Sequence, residues 1–137
     1  MAAPVASYVP VVVSAGLAFV AGQVPLLDGS PVATGRLGEE IDIEEGAGLA
    51  RHCALQALAA LRAELGSLDR VKRIAKVTVF VASADTFTEQ PKVANGASDL
   101  LGEVFGEAGK HARAAVGVSA LPLGVPVEVE LIAEVSD

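Results

Sequence analysis

HARAAVGVSALPLGVPVEVELIAEV, residues 111–135, holds one arginine and four His or Glu residues in an otherwise apolar run. It reads as two strands, AAVGVSA and PVEVELIAEV, broken by LPLG. In the second, Glu128, Glu130 and Glu134 fall at even spacing, and a period of two places them on one strand face. The LPLG link is longer than a tight two-residue hairpin, so the two strands need not be neighbours. Arg113 stands just ahead of one strand and Glu128 inside the other.

Working outward, IAKVTVFVAS (74–83) is the strongest β pattern in the chain and is expected at the sheet centre. Near the N-terminus, VPVVVS and LAFVAGQV are short β-branched runs separated by AG, an antiparallel pair in prospect. DGSP and TGRLG then mark a loop. Asp42, with Glu45 three residues on, signals a helix start, and apolar residues at 50, 53, 54, 57, 58, 61 and 65 keep the helical period until Gly66 stops it. This predicts a helix over about 43–65. A second helix is expected from about Pro91 to Phe105, although Gly96 and Gly102 weaken it. The order ββ(β)–α–β–α–β–β describes one α+β domain over 1–137, without linker or repeat.

Hydrophobic residues make up 52% of the 137 and charged residues 20%, which excludes a disordered chain. So much Val and Ala sheet surface in so short a chain points to an oligomer. The net charge of −7 disfavours general attraction to phosphate backbones or anionic membranes. RVKRIAK (70–76), the one local concentration of positive charge, reads as a solvated strand approach. Cys53 is the only cysteine, so an internal disulfide is impossible and a cytoplasmic location is expected. It reads as a buried small hydrophobe; His52 beside it points elsewhere on the helix. The apolar N-terminal run has no Lys or Arg before Arg36 and is interrupted by Pro4 and Pro10, so it is expected to be strand rather than signal peptide or membrane span.

Two distant histidines and one cysteine offer no zinc-ligand spacing, and neither a phosphate-binding glycine loop nor a nucleophile elbow is present. Chemistry would have to use Arg, carboxylates, hydroxyls, backbone groups and water. Arg113 can grip a carboxylate with a planar two-pronged fork, and Glu128 can orient or deprotonate water. From spacing alone this pairing is weak, and each reads first as a surface residue: Arg113 as an ordinary surface arginine, Glu128 as one of three acids on a strand face.

These stretches resemble the RidA/YjgF family of reactive-intermediate deaminases, known also by the older label of L-PSP endoribonucleases. YVPVVVSAGLAFVAGQVP is similar to that family's first two strands with their G-Q-x-P ending, and VKRIAKVTVFVAS to its central strand. R-x-x-V-G-V-x-x-L-P-x-x-V-P-V-E-V-E is the most specific signature. DRVKRIAKVTVFV, FTEQPKVANGASDLL and GKHAR are closer to one poorly characterised branch.

The resemblance implies a chorismate-mutase-like fold, a mixed sheet with both helices on one face, and a homotrimer with clefts at its subunit interfaces. It implies hydrolytic deamination of enamine/imine intermediates, such as 2-aminoacrylate, to 2-oxo acids and ammonia, with no cofactor or metal. Arg113 would bind the substrate carboxylate and Glu128 would position the attacking water. Tyr8 would close the cleft, Asn95 would line it and Gly22 would offer a backbone group. Two positions depart from the family pattern: Ala21 stands where Ser is common, and Ala115 where well-studied members often have Cys. A carboxylate-binding module without turnover and an endoribonuclease are the alternatives. The low aromatic content, the acidic balance and the lack of a His pair weigh against RNA as substrate.

Overall fold

The computed structural model describes residues 7–137; the expectation of strand for residues 1–6 lies outside the described residues. Val11–Ser14 (β1) and Leu17–Gln23 (β2) form the expected antiparallel hairpin. Its turn residues, Ala15 and Gly16, both have positive φ, 53° and 78°, the two-residue geometry whose twist matches the flanking strands. Part of the expected loop also folds. Leu26–Leu27 (β3) and Ser30–Pro31 (β4) pair about Asp28 and Gly29, again both at positive φ, so the DG pair makes a second small hairpin.

Ile43–Leu65 (α1) begins where Asp42 Oδ1 accepts a hydrogen bond from the Glu45 amide at 2.8 Å. It ends at Gly66, whose φ of 83° and amide bond to the Arg62 carbonyl close the last turn. Val71–Ala82 (β5) follows, then Gln90–Phe105 (α2), Ala112–Val118 (β6) and Val127–Val135 (β7). Of the basic residues of 70–76, Lys72 and Arg73 are exposed at the start of β5, with Lys72 3.7 Å from Glu134. Arg70, ahead of the strand, instead donates to the Leu65 and Ser136 carbonyls, and Lys76 is half-buried.

The sheet runs β1-β2-β7-β5-β6. β5 and β6 are parallel with α2 crossing between them, and every other pairing is antiparallel. β7 inserts between β2 and β5, so the last two strands are indeed not neighbours. Val77, Val79 and Val81 of β5 share one face with Val127, Val129, Leu131 and Ala133 of β7, all buried. Both helices cover that face: α1 lies over β2 and β7, α2 over β5 and β6. The helices approach closely at Gly96, where a Cβ would overlap the Ala47 backbone carbonyl of α1. The glycine that weakens α2 as an isolated helix is what lets it pack.

The opposite face carries Val12, Phe19, Ile132, Phe80 and Val116 together with Glu128, Glu130 and Glu134. No described element covers it, and Val12, Phe19 and Val116 are 49%, 42% and 42% exposed. Isolated exposed apolar residues need no explanation, but a contiguous sheet face does. No helix among the described residues is long and apolar enough to cross a membrane.

Candidate functional site

Glu128 sits on the uncovered face, opposite Phe80 of β5. Its surroundings come from an irregularity in β2. Between Val20 and Gln23 the register with β7 slips, so Gln23 rather than Gly22 comes opposite Val129. This β-bulge turns Gln23 into the core and leaves Gly22 against the Glu128 carboxylate. A Cβ at Gly22 would overlap Glu128 Oε2 and come within 3.0 Å of its Cδ. Only glycine lets the carboxylate lie there.

The bulge is clasped from beneath. Gln23 Nε2 donates to the Ala21 carbonyl at 3.1 Å, and Gln23 Oε1 accepts from Gln56 Nε2 of α1 at 3.4 Å. Gln56 also donates to the Val24 carbonyl at 2.8 Å and accepts from the Leu26 amide at 3.0 Å. Two buried amides are thereby satisfied, and α1 fixes the strand on which Gly22 lies. His52, one helical turn before Gln56, reaches the Leu26 carbonyl at 2.8 Å, while Cys53 is fully buried. Burial, with a smaller push from Glu128, raises the Cys53 thiol and leaves it inert. Glu128 itself is half-buried, and burial first, then Glu130, hold its carboxyl above the usual glutamate range.

Arg113 lies on the other side of the sheet. It pairs with Val77 of β5, a core residue, so its side chain rises along the helix face beside α2. Its Nη1 donates to Asn95 Oδ1 at 2.8 Å and to Ser98 Oγ at 3.1 Å, and Nη2 has a long contact of 3.5 Å to the Pro91 carbonyl. Among the described residues Arg113 has neither a carboxylate partner nor a hydrogen bond from Nε. Nη1 is therefore tied down by two acceptors, while Nε and one Nη2 hydrogen have no protein partner among the described residues.

Arg113 and Glu128 do not meet within one chain. β5 separates their strands, and strand spacing and rise put their backbones roughly 14 Å apart. Their side chains point to opposite faces. The remaining residues sort with one or the other. Asn95 holds Arg113 directly, whereas Gly22 touches Glu128. Tyr8, 48% exposed, lines a groove of about 330 Å³ with Val12, Phe19, Ala21 and Glu130 on the uncovered face. No cluster of three or more His, Cys, Asp or Glu suited to a metal occurs among the described residues.

A family profile described as "YjgF/chorismate_mutase-like, putative endoribonuclease" matches residues 1–135. The chain belongs to the YjgF/Rid family. Protein TCP17 of Trypanosoma cruzi is 50% identical to it over 137 residues, which is 99% of this chain and 86% of that protein. The crystal structure of Atu1372 from Agrobacterium tumefaciens, a protein of unknown function, superposes with a TM-score of 0.94 at 41% identity, covering 100% of this chain and 88% of that one. E. coli TdcF, solved with bound serine, superposes with a TM-score of 0.68 at 26% identity, covering 98% of this chain and 91% of that one.

Within this family member, sequence patterns alone missed Ser98 and His111. His111 Nε2 is 2.9 Å from Ser98 Oγ, which in turn accepts from Arg113. A signal was present: Asn95 and Ser98 are three apart on one helix face, and His111, just ahead of β6, is two residues from Arg113. Only the parallel pairing of β6 with β5, beneath α2, brings the two pairs together.

Proposed function

We propose that the chain hydrolyses 2-imino acids to 2-oxo acids and ammonia in a cleft assembled between subunits of a homotrimer. Arg113 and Asn95 come from one subunit, and Glu128, Gly22 and Tyr8 from its neighbour. The observation that carries this reading is the division of the two halves. A clamp with donors left unpaired among the described residues and a half-buried base occupy opposite faces of one sheet, so only a second copy can bring them together.

The chemistry follows from the groups. The Nε–Nη2 edge of Arg113 takes the substrate carboxylate in a bidentate pair. Water adds to the imine carbon as the Glu128 carboxylate accepts one of its protons; the C–N double bond becomes single and nitrogen takes that proton from the Glu128 carboxyl. The resulting carbinolamine passes its hydroxyl proton, again by way of Glu128, to nitrogen as the C–O bond becomes double. The C–N bond breaks and ammonia leaves, so Glu128 ends as the carboxylate it began as. A carboxyl held above its ordinary pKa is a stronger base once ionised, closer to working pH. The substrate is already activated, so these groups suffice for the hydrolysis.

A second reading is a carboxylate-binding module without turnover. The serine held by E. coli TdcF favours it, as do Ala21 and Ala115 in place of the family's commoner Ser and Cys. A coupled assay, in which a pyridoxal-phosphate enzyme releases the imino acid, separates the two: turnover above the spontaneous rate supports the enzyme. Arg113→Lys keeps the charge but loses the fork. It should abolish most binding of a 2-oxo acid and most turnover; unchanged turnover would refute the clamp. RNA cleavage that survives Arg113→Lys would instead favour the nuclease named in the family description.

A further inference from the structure

The contacts behind Arg113 run further than the clamp needs. His111 Nδ1 lies 2.6 Å from the Gly109 carbonyl oxygen, which can only accept, so Nδ1 carries the proton. In the neutral ring Nε2 is then an acceptor. Its partner at 2.9 Å is Ser98 Oγ, whose single O–H must point at it. That leaves a Ser98 lone pair for Arg113 Nη1, at 3.1 Å. Asn95 Oδ1, at 2.8 Å, takes the other Nη1 hydrogen. Every donor direction is thus fixed along one line: Arg113 to Ser98, Ser98 to His111, His111 to the Gly109 carbonyl.

We propose that Ser98 and His111 are positioning residues that lock the Arg113 guanidinium through this relay, so that only its Nε–Nη2 edge is presented to a substrate carboxylate. Both Nη1 hydrogens are occupied, so a carboxylate can enter only side-on and in the guanidinium plane. Without an acceptor at His111 Nε2, the Ser98 hydroxyl is free to rotate and its lone pair no longer faces Nη1 in one direction. Asn95 at Nη1 and the long Pro91 contact at Nη2 would then be all that holds Arg113, leaving one Nη1 hydrogen unpaired and the guanidinium less restrained. The use of that edge rests on the carboxylate-clamp reading above; the locking itself needs no ligand to be seen.

The test is nitrogen NMR of the Arg113 side chain and the His111 ring in the full chain, together with calorimetric titration of 2-oxobutanoate. In the unmutated protein the Nη1 and Nη2 signals of Arg113 should be resolved by hindered rotation, and His111 should show its proton on Nδ1. Ser98→Ala, a mild change on a helix, and His111→Ala should each average the Arg113 signals. Each should weaken 2-oxobutanoate binding roughly tenfold, the scale of one hydrogen bond to a charged group. His111→Gln, whose amide oxygen can stand in for Nε2, should restore both readouts. In a Ser98→Ala background His111→Ala should add nothing, because the two act as one chain. Arg113 signals that stay resolved in both alanine variants, full additivity, or a proton found on His111 Nε2 would each overturn the relay. If the relay signals behave as expected but the unmutated protein binds no 2-oxobutanoate, the clamp reading falls and the relay stands. If binding depends on Arg113 yet both alanine variants bind normally, the relay falls and the clamp stands.

Discussion

Glu128 carries the sharpest residue-scale consequences, because its environment and its proposed task pull the same way. Substitution by Gln keeps its shape and removes its charge. If it activates water, turnover should fall by roughly 10²–10⁴ while a 2-oxo acid still binds through Arg113. Equal turnover in the variant would show a solvated strand residue instead. The raised carboxyl also makes a stability claim. The folded chain binds this proton more tightly than the unfolded chain, so stability is fully present below the unfolded pKa and is lost as pH rises through the folded one. Glu128→Gln removes that loss. Denaturation midpoints of variant and parent should coincide near pH ~4 and diverge toward pH ~7 in favour of Gln, by a small amount because the group is only half-buried. The opposite sign would mean that Glu128 has an unseen cationic partner.

At the scale of elements, α2 contains two glycines that the sequence presents as equal weaknesses and the structure separates. Gly102 is exposed, and a Cβ there would meet nothing within 4 Å, whereas Gly96 is pressed against the Ala47 carbonyl. Gly102→Ala should therefore stabilise by up to about 1 kcal/mol through helix propensity. Gly96→Ala gains the same propensity but forces α1 and α2 apart, an overpacking cost of about 1–3 kcal/mol. Thermal melts of the two variants should move in opposite directions; a parallel shift would mean that the helix contact yields easily.

The same contrast shows how far the sequence can be read. Periodicity and caps placed α1 at its ends, and the β-branched runs placed β5, β2 and β7, because those signals are local. The bulge at Gly22 was not visible, since it is defined only by the slip against Val129. Nor was the face on which Arg113 lies, which follows from its pairing with Val77. Gln23 and Gln56 meet across 33 positions and Ser98 and His111 across 13, so local spacing alone did not join them.

At the scale of the whole molecule, the uncovered sheet face and the divided site pose one question, and the proposed trimer would answer both. It would cover the exposed Val12, Phe19 and Val116 and supply the second copy that a site shared between Arg113 and Glu128 requires. Sedimentation should give three times the chain mass, and a stable monomer would remove the proposed cleft. The most direct measurement mixes two inactive variants, Arg113→Lys and Glu128→Gln, unfolded together and refolded as hybrids. In a cyclic trimer every mixed assembly has one interface with both native residues, so equal mixing should restore about a quarter of the native sites. Imino-acid turnover in the mixture should rise to that level while each variant alone stays inactive. Turnover no greater than that of the separate variants, with hybrid trimers shown to be present, would contradict a site shared between subunits.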